Sequence, residues 1–147
     1  MKIEYKNIYI HFVLTTLHRM PVIPTIHRDR IEKYITGIIK NYECYLYAIY
    51  ANPEHVHILI SMAPNISAEK LLTIVADSSE RFINENKWVQ GKFKWQETCS
   101  AFSVSKDDVS IVCGYIESQP EHHKKVSFRE EYEKFISFYQ KTIDKTK

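Results

Sequence analysis

Glycine is scarce, at three residues in 147, and no Gly- or Ser-rich tract interrupts the chain. No flexible linker is expected, and there is no internal repeat or low-complexity segment, so residues 1–147 read as a single domain. Long apolar runs are absent as well. Nothing approaches the ~20 consecutive residues that a membrane-spanning helix requires. The start, Met1-Lys2-Ile3-Glu4-Tyr5-Lys6, lacks the apolar core of a secretion signal. Cysteine is limited to Cys44, Cys99 and Cys113, too far apart for a metal-type pair, and reads as reduced thiols of a cytoplasmic protein. An excess of one charge is also missing. Twenty basic residues face eighteen acidic ones, and a net charge of +2 gives no argument for nucleic-acid binding unless charge is concentrated locally. What is present is ordinary globular composition, 44% hydrophobic and 26% charged, which excludes wholesale disorder. Aromatics reach 13% with ten tyrosines, so rarity singles out no tyrosine.

The hydrophobic periods define eight elements. From Asn7 to Thr15, Ile8, Ile10, Phe12 and Leu14 alternate with Tyr9, His11 and Val13, the period of a strand. Ile31, Tyr34, Ile35, Ile38 and Ile39 mark a helix with Thr25 as its N-cap. Strands are predicted over Glu43–Tyr50 and His55–Met62, an antiparallel pair broken by Asn52-Pro53. Ser67 caps a helix to about Asn86, with Leu71, Leu72, Val75, Ser79, Phe82 and Ile83 inward. A loop over Lys87–Trp95 and an extended piece over Cys99–Val104 follow. Ser105 with Asp108 opens a helix to Gln119 that Pro120 stops, and Ser127 with Glu130 opens a last one, striped by Phe128, Tyr132, Phe135, Ile136 and Tyr139. Strand, helix, strand, strand, helix, strand is the order of a ferredoxin-like α+β fold: an antiparallel sheet with helices on one face. The two C-terminal helices are additional.

Two constellations carry possible chemistry. In Glu54-His55-Val56-His57-Ile58-Leu59-Ile60, residues two apart share a strand face, so Val56, Ile58 and Ile60 point into a core and both imidazoles project from the other side. They can converge on one divalent ion, or be two unrelated polar positions on a wet face. On the helix before Pro120, Tyr115 and Gln119 are four apart and stack on a strip rotated from the core stripe Val109, Val112, Cys113 and Ile116. A phenol beside a carboxamide suits a nucleophile and an oxygen ligand, or a boundary tyrosine bonded to its neighbour.

Taken together, these segments resemble the single-tyrosine HUH transposases, which move insertion sequences as single-stranded DNA, with a related branch associated with repetitive extragenic palindromes. The resemblance rests on Asn52-Pro53-Glu54-His55-Val56-His57 followed in order by Tyr115-Ile116-Glu117-Ser118-Gln119, and extends over most of Tyr5–Tyr139. It implies that His55, His57 and Gln119 hold a magnesium or manganese ion. It also implies that Tyr115 is the nucleophile, cleaving and rejoining single-stranded DNA through a 5′-phosphotyrosine bond without a nucleotide cofactor. It further implies a homodimer, in which the tyrosine helix of one copy can complete the other's site, acting on hairpin-containing element ends. Two other readings compete: a non-catalytic, domesticated hairpin-binding module, and a replication-initiator type of HUH nicking enzyme.

Lys87, Trp88, Lys92, Lys94 and Trp95 interleave cations with rings and lack acids, as a single-strand or hairpin contact does; a solvated loop pinned by buried tryptophans has the same composition. His122-His123-Lys124-Lys125 reads as a phosphate contact or a complement to a helix C-terminus, His11 as a lining of the histidine cleft or a surface residue, and Arg19, Arg28 and Arg30 as part of a basic surface or solvated charges. Glu54 suits either a carboxylate orienting an imidazole or an exposed turn. Many members of the resembled family carry a basic residue before paired serines in the middle helix. Here Asp77 precedes Ser78-Ser79, which bears on the DNA sequence recognised, not on the chemistry.

Overall fold

The computed structural model describes residues 1–122 and 126–145, excluding the side chains of residues 122, 135 and 138–145. In chain order the elements are β1 (Tyr9–Thr15), α1 (Arg28–Asn41), β2 (Tyr45–Ala51), β3 (His55–Ser61), α2 (Ala68–Glu85), β4 (Ser100–Val104), α3 (Val109–Glu117), α4 (Gln119–His122) and α5 (Phe128–Lys145). The strands form one sheet in the order β2-β3-β1-β4, and every neighbouring pair is antiparallel. This is the expected ferredoxin-like α+β topology. Among the described residues, no helix is long and apolar enough to cross a membrane.

Side-chain alternation divides the sheet into two buried faces. Phe12, Leu14, Val56, Ile58 and Ile60 pack with Ile31, Ile35 and Ile39 of α1 and Leu71, Leu72, Val75 and Ile83 of α2 into the main core. On the opposite face Ala48, Leu59, Val104 and Ile116 form a smaller cluster, completed by Val109, Val112, Cys113 and Tyr115. The additional helix α3 thus covers the second face, and all seven residues of β3 are buried. Its histidines are not on a wet face, because a helix lies over them.

Local signals held where side-chain chemistry settles them. Ser67 Oγ accepts from Lys70 N at 3.1 Å and starts α2, and Ser127 Oγ accepts from Glu130 N at 3.3 Å ahead of α5. Others gave way. Thr25 does not cap α1; it begins a 3-10 turn over Thr25–His27, and the helix follows from Arg28. Ser105 makes no capping bond, and a 3-10 turn over Lys106–Asp108 precedes α3. Pro120 does not end the helix at Gln119. The break comes earlier, at Ser118, and Pro120 sits in the first turn of α4, where its missing N–H costs nothing. Glu43 has a left-handed φ of 63°, so β2 starts only at Tyr45.

The Lys87–Trp95 loop runs along the main-core side. Trp95 is 6% exposed and its indole donates to Ser79 Oγ at 3.0 Å, while Phe93 is 1% exposed. Trp95 is therefore a core residue whose ring presents no face to a base, and Ser79 is its partner. Trp88 is half-buried, stacked on His27 with ring centroids 4.2 Å apart, and Arg30 lies 5.0 Å over it. Lys87, Lys92 and Lys94 are exposed. Lys92 and Lys94 border a groove of 1330 Å³ beside α2 that also carries Arg81, Glu69, Asp77, Glu80, Glu85 and Glu97. Acids outnumber bases in it. Of the His122–Lys125 segment, residues 123–125 lie outside the described residues, as do the side chains of His122, Phe135 and Tyr139.

Candidate metal and nucleophile site

Strand alternation puts His55 and His57 of β3 on the same face as His11 of β1, under α3. Of the two placements expected for His11, surface and histidine cleft, the structure has the cleft: His11 is fully buried, with its Nε2 2.9 Å from Nδ1 of His57. The other nitrogen of His57 turns inward, and the two Nε2 atoms of His55 and His57 are 3.1 Å apart. Behind His55, Nδ1 lies 2.7 Å from Glu54 Oε1, so Glu54 orients the imidazole. Each ring is thereby held by its outer nitrogen, the arrangement that fixes tautomer and aim in metal-binding histidines. Burial lowers the pKa of His55 to about 4 and that of His11 to about 3, with the neighbouring His57 adding to both shifts. Both are neutral at physiological pH.

Tyr115 and Gln119 arrive from above. The Tyr115 ring stands edge-on to His57 with centroids 5.7 Å apart. Gln119 is fully buried; its Oε1 accepts from Asn52 Nδ2 at 3.0 Å, and that same amide nitrogen is 3.2 Å from His55 Nε2. The break at Ser118 leaves the phenol and carboxamide on one side despite their belonging to successive helices. The imidazole pair, Tyr115 and Gln119 therefore meet in one cleft, within one chain.

A fourth group, absent from the sequence reading, lies at the centre. Glu131 of α5 is 2% exposed. Its Oε1 is 2.8 Å from His57 Nε2, accepts from Gln119 Nε2 at 3.3 Å, and accepts the Tyr115 hydroxyl proton in a short hydrogen bond. Its Oε2 is 3.8 Å from His55 Nε2. Burial pushes the carboxyl pKa up, but hydrogen bonding and charge from His57, with Tyr115 and His55, outweigh it and hold Glu131 well below the carboxylate range. The Tyr115 phenol is driven well above its ordinary value, first by burial and then by the Glu131 carboxylate. The one local signal that could have flagged Glu131 is its place three residues after Phe128 and just before Tyr132, on the apolar stripe of α5, where a carboxylate needs a partner, although that pattern does not say which partner.

The donor set fits a divalent cation. One ligand atom from each of His55, His57 and Glu131 lies within 4.8 Å of the others. Two donors held about 2.1 Å from an octahedral ion at right angles are about 3.0 Å apart, and the imidazole nitrogens at 3.1 Å match that spacing. Two imidazoles with a carboxylate or amide oxygen are ligands that magnesium, manganese and related ions accept.

A ferredoxin-like sheet whose paired strand histidines face a helix-borne tyrosine is a specific enough arrangement to be compared with known proteins. Residues 4–119 match the profile of the IS200-like transposases, and the chain belongs to that family. A crystal structure of a candidate transposase from Deinococcus radiodurans R1 superposes with a TM-score of 0.61 at 20% identity, covering 81% of this chain and 96% of that one. A REP-associated tyrosine transposase bound to a REP hairpin gives 0.62 at 14% identity, covering 85% of this chain and 76% of that one. No curated protein matches the sequence.

Proposed function

We propose that the protein is a metal-dependent transposase that cuts and rejoins single-stranded DNA through Tyr115. The phenol oxygen attacks the scissile phosphorus, a tyrosine–phosphate bond forms, and the bond to the 3′ oxygen breaks, releasing a 3′-hydroxyl. In the reverse sense a 3′-hydroxyl attacks the phosphotyrosine and returns the proton to Tyr115. The phosphodiester energy is conserved in the adduct, so no nucleotide is consumed. The observation that carries this reading is the meeting of Tyr115 with His57 and Gln119 in one buried cleft.

His55, His57 and an oxygen from Gln119 or Glu131 would hold the ion, magnesium or manganese. When bound it supplies Lewis-acid stabilisation of charge on the phosphate. Glu54 and His11 keep the imidazoles aimed. Lys87, Lys92 and Lys94, with Trp88, are the proposed contacts to hairpin DNA, since their cations reach solvent on an exposed loop. The protein named in the hairpin-bound structure acts as an analogy for hairpin-containing element ends. A homodimer and a cytoplasmic location complete the reading.

The test is covalent capture. With labelled single-stranded oligonucleotides from the gene's own flanks and Mn²⁺, the wild type should give a denaturation-resistant adduct, and Tyr115→Phe should give none while still binding the hairpin. Adducts formed by the phenylalanine variant would overturn the assignment.

A further inference from the structure

The cleft takes up one end of the sheet's second face. At the other end the rings of Tyr9, Tyr45 and Tyr47 meet edge to face, with centroids 5.7 Å apart for Tyr9 and Tyr47 and 4.8 Å for Tyr45 and Tyr47. Tyr45 is 63% exposed and Tyr47 38%. A β-bulge brings these rings into line with the cleft. Pairing of β2 with β3 sets Tyr45 opposite Ser61 and Leu46 opposite Ile60, skips Tyr47, and resumes with Ala48 opposite Leu59 and Tyr50 opposite His57. Without the extra residue, alternation would put Tyr50 on the face away from Tyr45 and Tyr47. With it, the three tyrosines of β2 share the face that carries His57. Cations flank the row at both ends. Lys6 Nζ donates to Ser61 Oγ at 2.9 Å, and Ser61 stands between Tyr45 and Tyr9 in the sheet. Beside the cleft, the Arg28 guanidinium lies 4.4 Å from the Tyr50 centroid. It is held there by Glu32, which takes two contacts from Arg28 Nη1 and accepts from Ala51 N at 2.9 Å. Glu32 offsets part of the arginine charge, so Lys6 is the freer cation.

Resting on the transposase reading, we propose that Tyr9, Tyr45, Tyr47 and Tyr50, with Lys6 and Arg28, form a track along β2 that binds the unpaired strand flanking the cleavage point. Unpaired bases offer flat faces on which tyrosine rings stack whatever the sequence, and the cations at either end take phosphates. Bases inside a duplex already stack on one another, so the track selects single strand over stem. Its position suits the flank. His57 and Ser61 are four residues apart on β3, about 13 Å at the rise of a strand, a distance that a few unpaired nucleotides span. The Lys87–Trp95 loop is on the main-core side, so stem and flank would meet opposite faces of the sheet. A second copy of the chain is a poorer occupant. β2 is an edge strand without a charged residue or proline, which invites strand pairing, but the bulge at Tyr47 interrupts the ladder that an added strand would need. What the strand presents is rings.

The experiment uses the full chain as wild type, Tyr45→Ser with Tyr47→Ser, Tyr45→Phe with Tyr47→Phe, and Lys6→Ala. Two fluorescein-labelled hairpin oligonucleotides, one blunt and one with an unpaired flank, are titrated in EDTA and followed by anisotropy. The wild type should bind the flanked hairpin about tenfold tighter than the blunt one, the gain expected from stacking a base or two. The serine pair should lose that advantage and bind the blunt hairpin as the wild type does, while the phenylalanine pair should keep it. Lys6→Ala should lower the slope of log affinity against log salt by about 0.7 for the flanked hairpin only. A flank carrying 5-iodouracil should photocrosslink to Tyr45 or Tyr47 of the wild type, a readout independent of how any variant folds. No flank advantage in the wild type, an advantage that survives in the serine pair, or no crosslink on β2 would overturn the track. A serine pair that sediments as a monomer where the wild type is a dimer, with the flank advantage intact, would assign the rings to a second copy and overturn it too. Covalent capture with Mn²⁺ separates the two readings. Adducts from the wild type without a tyrosine-dependent flank advantage leave the transposase reading standing alone. A flank advantage lost in the serine pair, with no adduct from the wild type, supports the track and overturns the Tyr115 chemistry.

Discussion

Nε2 of His11 lies 2.9 Å from Nδ1 of His57, linking β1 to β3 beneath the cleft. Neither ring is more than 2% exposed, so water cannot substitute for the contact. Its consequence is directional: with its outer nitrogen engaged, His57 presents Nε2 to the cleft. Replacing His11 with alanine should lower Mn²⁺ affinity about 10- to 100-fold, the usual cost of losing an orienting partner, as measured by calorimetry. His11→Gln, which can still hydrogen-bond, should recover part of the loss. Equal affinities for both variants and wild type would show that His57 needs no support.

Buried neutral imidazoles make the fold acid-sensitive. The folded-state pKa values of about 4 for His55 and about 3 for His11 lie below the unfolded value of 6.5. Between these limits the unfolded chain binds more protons, so the stability contributed by both groups is fully present above pH 6.5 and is lost as pH falls toward 4 and then 3. Chemical denaturation at pH 7 and pH 5 should show the wild type weakening on acidification, by up to about 1.4 kcal/mol per pH unit for each histidine. His11→Phe should flatten that dependence. An unchanged slope would mean that His11 is not buried neutral.

Tyr115 and His57 meet within one chain, with ring centroids 5.7 Å apart, and α3 packs on the sheet of that same chain. Mixing His57→Ala protein with Tyr115→Phe protein distinguishes the two ways a dimer can be built. If each copy uses its own tyrosine, every mixed dimer contains one site without His57 and one without Tyr115, and adduct formation stays at background. Recovery toward a quarter to a half of wild type would instead show that the tyrosine helix is exchanged between copies.

What could be read beforehand follows from the range of the interactions involved. The sheet order and both main-core helices were legible because alternating Ile10, Phe12 and Leu14 and the Ile31–Ile35–Ile39 stripe are local patterns. Tyr115 and Gln119 were legible as neighbours for the same reason. Glu131 was not, since its partners are Tyr115, 16 residues away, and His57 across the sheet. His11 was left between surface and cleft for a similar reason: a histidine on an alternating strand faces water or core depending on whether a second layer exists, and that layer is α3. Trp95 shows the converse ambiguity, because a loop rich in lysine and tryptophan has one composition whether its rings stack on bases or anchor the loop in a core.

That ambiguity can be resolved by separating the two residue types. Lys92→Ala with Lys94→Ala should leave thermal stability nearly unchanged, weaken hairpin binding, and reduce the slope of log affinity against log salt by about 2 if both cations contact phosphates. Trp95→Phe removes the 3.0 Å bond to the buried Ser79 hydroxyl and should cost about 1–3 kcal/mol of stability while leaving that slope intact. An unaltered slope in the double-lysine variant would remove the loop from the proposed DNA contact.

The loop's shape depends on a residue outside it. Asn84 near the end of α2 engages Phe93 twice: its Oδ1 accepts from Phe93 N at 2.7 Å and its Nδ2 donates to Phe93 O at 3.0 Å. Backbone pairing with Thr15 and Leu17 begins only at Lys94 and Gln96, and at Phe93 itself one amide side chain meets both peptide groups of a residue that is 1% exposed. Asn84→Ala leaves the two groups without that partner and should destabilise the protein by about 1–3 kcal/mol. Asn84→Asp keeps the acceptor but replaces the donor with an oxygen facing the Phe93 carbonyl, and should be no better than alanine. Hydrogen exchange at Phe93, Lys94 and Trp95 should accelerate in both variants while β3 stays protected. DNA affinity should fall with it if Lys92 and Lys94 are positioned through this anchor. Unchanged exchange at Phe93 would place the loop's stability in Trp95 and its neighbours instead.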